Sequence, residues 1–307
     1  MSRFSAGSVT VRSPATCANL GPGFDSFGLA VDLRDSVAVR VASGGVEVQV
    51  AGEGAEGIPR DEQHLVVRAM RAVFDLLGLP QPGLRLSCTN RVPHGRGLGS
   101  SAAAIVSGIR AAEALVPGSA LESGQALSLA ASLEGHPDNV AACLLGGFTV
   151  AWMSGPRAGA VALDVHRDVS PVLFVPPTSL STELARSLLP DRVTHLDARL
   201  NSGRAGLLVA ALTRFPEELL TATEDRLHQQ YRRSAMPGSV ALMDRLRAAG
   251  IAAAISGSGP AVVALGIPSG PVEPARWSQS GWDCLPLPVA RAGASVRKSS
   301  EDASALS

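Results

Sequence analysis

The chain has 307 residues, enough for two ordinary domains, and 46% apolar with only 4% aromatic residues suits aliphatic cores. Lys+Arg and Asp+Glu balance at 27 each, so the basic surplus that nucleic acid or an anionic membrane demands is missing, and a small-molecule ligand is expected with neither partner. Cys17, Cys88, Cys143 and Cys284 lie far apart without zinc spacing, and no apolar leader or run of about 18 apolar residues occurs, which points to a cytoplasmic protein with reduced thiols.

In chain order, residues 8–13 alternate apolar and polar, and residues 37–41 and 46–50 repeat that period across Gly44-Gly45, so strands and a hairpin are expected. From Asp61 the period changes: Leu65, Val66, Ala69, Met70, Val73, Phe74 and Leu77 share one helical face before Gly78. Residues 84–92 read as a strand feeding a glycine-rich loop, and residues 101–115 as an Ala-rich helix stopped by Pro117-Gly118. A further helix over 121–134 ends at Gly135, ahead of His136-Pro137-Asp138-Asn139 and a short apolar stretch. Residues 153–160, rich in Gly, Pro and Ala, read as a domain boundary. Beyond it come a strand over 172–175, helices over 182–189, 192–213 and 240–249, and strands over 251–255 and 261–265 around a second glycine turn. The mixed order predicts α+β in both halves, with domains at 1–155 and 156–290 and a frayed tail over 291–307.

Pro93-His94-Gly95-Arg96-Gly97-Leu98-Gly99-Ser100-Ser101-Ala102-Ala103 places three glycines at alternate positions, then two hydroxyls, then a helix start. Glycines let backbone amides crowd around phosphate oxygens, and a helix N-terminus adds roughly half a positive charge at the same point. The bland alternative is a glycine turn with Ser101 as an ordinary N-cap. A nucleotide-hydrolase P-loop needs Lys before Ser/Thr, where Gly99 stands, and that reading fails. A dinucleotide fingerprint needs glycine where Ser100 stands, which leaves a nicotinamide-dependent dehydrogenase as a distant alternative. The only lysine is Lys298, in the polar tail, so a buried catalytic lysine is excluded.

The segment 93–103 resembles the central motif of the galactokinase, homoserine kinase, mevalonate kinase and phosphomevalonate kinase superfamily. Ser13-Pro14-Ala15-Thr16-Cys17-Ala18-Asn19-Leu20-Gly21-Pro22-Gly23-Phe24-Asp25 and Ser256-Gly257-Ser258-Gly259-Pro260 match its first and last motifs, and the resemblance covers about residues 8–290. The first motif, Glu134-Gly135-His136-Pro137-Asp138-Asn139, Ser181-Thr182-Glu183-Leu184-Ala185-Arg186 and Tyr231-Arg232 are similar to the homoserine kinase branch. His94 stands where an aliphatic residue is usual, Thr16-Cys17 replaces a pair of small residues, and Ala142 replaces a proline.

That resemblance implies a ribosomal-S5-like N-terminal domain, a ferredoxin-like C-terminal domain, ATP with Mg²⁺, L-homoserine as acceptor, a homodimer, and a place in threonine biosynthesis. By the same resemblance Asn19, Asp25, His136, Asn139, Thr182, Arg186 and Arg232 hold the amino acid, and the loop 93–103 holds ATP. Ser100 and Glu134 would ligate Mg²⁺, Gly257 and Gly259 would back the phosphate loop, and Asn139 and Arg186 would serve catalysis. A zwitterion suits this set, because a carboxylate wants a guanidinium fork and an ammonium wants an anion. Asn139 stands where mevalonate-like relatives carry aspartate and cannot take a proton, so catalysis by positioning and charge stabilisation is expected, with Asp138 as base the other reading. Two further readings stay open: a kinase for another hydroxylated metabolite, and a nucleotide-binding module without turnover.

Overall fold

The computed structural model describes residues 3–5, 7–118, 121–122 and 124–299. Strands β1 (Ser8–Ala18), β2 (Phe27–Ala42) and β3 (Val46–Gly52) precede helix α1 (Leu65–Leu76), β4 (Gly83–Asn90), α2 (Ser100–Leu115), α3 (Gln125–Glu134), α4 (Asp138–Leu145), and the hairpin of β5 (Phe148–Ser154) and β6 (Arg157–Leu163). Then follow β7 (Ser170–Val175), α5 (Thr182–Ser187), α6 (His195–Thr213), α7 (Leu219–Ala222), α8 (Pro237–Ala248), β8 (Ala252–Ile255), β9 (Val262–Gly266), α9 (Pro274–Trp277), β10 (Asp283–Pro286) and β11 (Ser295–Ser299). The expected α+β composition is borne out. No helix among the described residues is long and apolar enough to cross a membrane.

The first sheet runs β11-β1-β2-β4-β3, with β5 and β6 added beside the start of β2; β3 and β4 are parallel, with Val48 across from Leu86. β2 serves two partners: residues 36–42 pair with β4, and Phe27, Gly28 and Leu29 pair with β5. The second sheet, β10-β7-β9-β8, is antiparallel. Val66, Met70, Val73 and Phe74 of α1 are buried on the face the spacing predicts, each contributing on the order of 1.5–3 kcal/mol. α2 is Ala-rich because it is packed nearly all round; a Cβ on Gly108 would overlap the Val66 carbonyl of α1.

Three expectations fail for physical reasons. The hairpin expected across Gly44-Gly45 does not form: β4 lies between the two strands, antiparallel to β2 and parallel to β3, and takes the ladder bonds of both. The Gly/Ala-rich stretch taken as a linker is the β5–β6 hairpin, so the expected boundary falls on its turn and both strands join the first sheet. Small residues suit β6 because a ring packs over it: Trp152 lies across Gly159. The tail also returns: residues 295–299 pair with β1, Lys298 opposite Val9, and ladder bonds hold this polar strand where no apolar pattern announced it. Residues 300–307 of the expected tail lie outside the described residues.

One core fills the space between the first sheet and α1, α2, α3 and α4. A second lies between the sheets, where Leu29 and Phe148 meet Leu173 and Val263 beside Leu208 and Leu212 of α6. Leu98, from the glycine-rich loop, is 1% exposed within it. The loop is thus pinned by an apolar knob to the seam that joins the two sheets.

Candidate active site

Gly95, Gly97 and Gly99 all have positive φ, at 63°, 74° and 68°, a region that costs an L side chain about 1–2 kcal/mol. Close neighbours forbid side chains as well. A Cβ at Gly97 would overlap the Ser256 carbonyl, and one at Gly99 would overlap the Thr16 hydroxyl. Four consecutive carbonyls of the loop are held from behind: Gly95 O by Leu180 N (2.9 Å), Arg96 O by Ala261 N (3.1 Å), Gly97 O by Ser256 Oγ (2.6 Å) and Leu98 O by Thr16 N (3.0 Å). With the carbonyls tied back, Gly95, Gly97, Leu98 and Gly99 line the cleft beside the start of α2. That helix begins at Gly99 without a side-chain cap, so its first-turn amides and its dipole are open to an anion.

The other two glycine motifs are tied to the same point. The end of β1 accepts Gly257 N at Ala18 O (3.0 Å), and Asn19 Nδ2 donates to Gly257 O (2.9 Å). Asn19 Oδ1 in turn accepts from Asp25 N (2.9 Å), so the Asn19 amide braces the loop that carries Asp25. Asn19, Leu20 and Asp25 all have positive φ (69°, 50° and 55°), strain held at Asn19 and Leu20 by burial and at Asp25 by the bond from its amide to Asn19.

Asp25 and Arg186 form a two-pronged ion pair across a cleft of about 590 Å³ (Nη2 to Oδ1 2.6 Å, Nη1 to Oδ2 3.1 Å). Two guanidinium groups lie over the Phe24 ring, Arg186 Cζ at 5.7 Å and Arg232 Cζ at 5.6 Å from its centroid. Arg232 is buried and donates from Nε to Ala185 O (3.1 Å) and from Nη1 to Gly257 O (3.2 Å). Burial, then the Arg186 charge, pull its pKa down to about 10. Thr182, at the start of α5, shares a 3.2 Å hydrogen bond with Ser258.

The α3–α4 junction supplies the remaining wall. Glu134 Oε1 accepts from Ser101 Oγ (2.7 Å), and burial raises its carboxyl pKa against that hydrogen bond. His136 Nδ1 donates to Asp138 Oδ1 (2.5 Å), which also accepts Asn139 N (2.7 Å). Asn139 Oδ1 accepts from Thr16 Oγ1 (2.7 Å) beneath Gly99, so its NH₂ is the end left to donate, and it makes a long hydrogen bond to Asp138 Oδ1 (3.4 Å). Burial lowers the His136 pKa, but the Asp138 hydrogen bond and charge outweigh it and the value is raised. A raised folded pKa means that this pair stabilises the fold fully below about pH 6.5, the unfolded value, and that the gain fades as pH rises through the folded value. His136→Asn should therefore lower Tm more at pH 5.5 than at pH 9; an equal loss at both would remove the ionic contribution.

A second, more apolar pocket of about 750 Å³ shares Ser100 and Ser101 with the cleft. Val37, Ile58, Pro59 and Leu65 line it with His64 and Asn90, and His94 reaches Asn90 at 3.4 Å.

The structure brings Asn19, Asp25, His136, Asn139, Thr182, Arg186, Arg232, Ser100, Glu134, Gly257 and the loop glycines to one cleft. Other expected contacts go elsewhere. Ala102 turns its methyl into the core, whereas Ala103, whose N donates to Gly99 O (2.9 Å), lines the second pocket. The Arg96 guanidinium is used on the carbonyls of Pro176, His94 and Pro177. Pro93 does not line the cleft and His94 lines the second pocket, whereas Gly259, packed on Met236, sets its backbone against Gly97 of the loop. The serine joined to Glu134 is Ser101 and not Ser100. Sequence reasoning missed Thr16, Phe24, Ser258, His228 and the second pocket, whose residues follow no motif spacing.

The model of the GHMP kinases N terminal domain matches residues 64–147, and that of the GHMP kinases C terminal matches residues 205–276. The chain is 55% identical over 295 residues to the homoserine kinase of Streptomyces avermitilis, covering 95% of this chain and 97% of that one. It is 58% identical over 264 residues to the homoserine kinase of Streptomyces coelicolor, covering 85% of each chain. The crystal structure of homoserine kinase from Cytophaga hutchinsonii superposes with a TM-score of 0.80 at 30% identity, over 95% of this chain and 98% of that one.

Proposed function

The chain belongs to the homoserine kinases among the GHMP kinases, and from that premise we propose how its cleft moves the γ-phosphoryl of ATP to the side-chain hydroxyl of L-homoserine, giving ADP and O-phospho-L-homoserine. It is a kinase with the mixed α/β two-domain fold of that family.

The loop amides and the start of α2 take the phosphates, and the second pocket takes the nucleoside, since it opens onto the same helix start. Arg186 and Arg232 take the carboxylate, Asp25 the ammonium, and Thr182 and His136 close the sides. Asn139 steers the acceptor hydroxyl as a donor, because Thr16 already occupies its oxygen. Asp138 is committed to His136 and Asn139 and is 2% exposed, which favours an orienting role over that of base. With no base needed in a loose transition state, positioning and charge stabilisation by amides and Arg186 carry the rate.

The donor set fits Mg²⁺: the Glu134 carboxylate meets a serine hydroxyl beside the phosphate loop, and Mg²⁺ is usually held by one or two carboxylates and completed by substrate phosphates. Glu134 with Ser100 or Ser101 would hold it, where it would neutralise charge on the β- and γ-phosphate oxygens. We place the enzyme in the cytoplasm as a homodimer, feeding threonine biosynthesis.

The observation that carries the amino-acid reading is convergence: Asn19 and Arg232 donate to the same Gly257 carbonyl, and Arg186 and Arg232 both lie against the Phe24 ring. ADP release should be measured with Mg²⁺-ATP against homoserine, mevalonate and galactose. Homoserine-dependent turnover is expected. Turnover with another acceptor but not homoserine would overturn the substrate, and silence with all three would favour a binding module.

A further inference from the structure

His228 lies behind the cleft, is fully exposed to nothing but protein at 0% accessibility, and cannot touch a ligand. Its place is fixed by Asp225, whose carboxylate accepts the amides of Leu227 (2.8 Å), His228 (3.1 Å) and Gln229 (2.8 Å). One ring nitrogen, Nε2, is 2.8 Å from Gly21 O, a carbonyl that can only accept, so Nε2 carries the proton. Nδ1 is then a lone pair, and it faces Arg232 Nη1 at 3.2 Å. The same ring stacks on Phe24, centroids 5.2 Å apart, and Phe24 is the ring that both cleft arginines lie against.

Those contacts account for one whole side of the Arg232 fork. Nε goes to Ala185 O, and the two Nη1 hydrogens go to Gly257 O and His228 Nδ1. The Nη2 edge is what remains for the cleft. With Nη2 alone left, Arg232 offers a carboxylate N–H groups whose direction is fixed by the guanidinium plane, so the angle of that plane decides how well it grips. We propose that His228 is a positioning residue: as a neutral hydrogen-bond acceptor and an aromatic plate under Phe24, it sets the plane in which Arg232 meets the substrate carboxylate. The proposal rests on the reading that Arg232 holds that carboxylate. Burial also keeps the imidazole neutral by pulling its pKa down, and a neutral ring is the form that can accept from a cation.

The test is steady-state kinetics on the full chain with His228→Gln, His228→Asn and Arg232→Met. In place of a histidine, an asparagine oxygen stands near Nδ1, whereas a glutamine amide stands near Nε2 and leaves Arg232 without its acceptor. His228→Gln should raise the homoserine KM about tenfold, the worth of one hydrogen bond to a charged group, with kcat and the ATP KM within twofold of wild type. His228→Asn should recover most of that loss. Equal KM values for the two variants, or a fall in kcat and a rise in the ATP KM alongside the homoserine effect, would overturn the positioning role. Arg232→Met separates the two readings: an unchanged homoserine KM there would sink the carboxylate assignment, whereas a large rise there with a silent His228→Gln would sink only the role of His228.

Discussion

Gly97→Ala is expected to lower kcat/KM by about 10²-fold or more while the chain still folds. The added Cβ would overlap the Ser256 carbonyl oxygen and sit 2.9 Å from the backbone of Gly259, and neither is a flexible side-chain tip that can swing aside. Ser256 Oγ also holds Gly97 O at 2.6 Å, so the loop and the turn must separate together. A displacement of about 1 Å in the groups that position a substrate costs on the order of 10²-fold. Gly45→Ala supplies the control: its φ is also positive, at 55°, but nothing lies within 4 Å of the new methyl. That variant should lose about 1–2 kcal/mol of stability and keep its kinetics. Measured kcat/KM and Tm for both variants decide the matter, and a Gly97→Ala enzyme with wild-type turnover would mean that the loop does not hold phosphate.

How much of this was legible in the sequence follows from the range of each force. The glycines of 95–99 and 257–259 stand out because their backbone needs are local and no side chain can substitute for them. Arg186 and Arg232 were found because each sits in a short recognisable segment. Their partners were not legible: Asp25 with Arg186 is a pairing over 161 positions, and Thr16 with Asn139 one over 123. Thr16 looked like a departure from a pair of small residues, yet its hydroxyl fixes which end of Asn139 faces the cleft. The β5–β6 hairpin and β11 failed for the opposite reason. Both are held by ladder bonds and neighbours from distant segments, so neither shows the periodicity that marked β3 or α1.

Arg186→Ala and Asp25→Asn are each expected to raise the homoserine KM by about 10 to 10²-fold, and the double variant by clearly more than the product. In the free protein the two side chains are bonded to each other at 2.6 and 3.1 Å and both are about a third exposed, so neither is an orphaned charge awaiting substrate. A bound zwitterion replaces that one ion pair with two contacts, carboxylate to Arg186 and ammonium to Asp25. Hydrogen bonds to charged groups contribute roughly 1.5–3 kcal/mol each, and partial exposure puts these toward the low end. Removing one partner deletes one substrate contact but also frees the other side chain from its internal bond, which offsets part of the loss. Each single variant gains that offset in full, whereas the double variant gains it only once, so its loss exceeds the sum of the two and the cycle should show coupling. The ATP KM should not move in any of the three, because the phosphate loop draws on neither side chain. Strictly multiplicative losses would mean that the ion pair persists beside bound homoserine. A rise in the ATP KM matching that for homoserine would instead place Arg186 on the nucleotide.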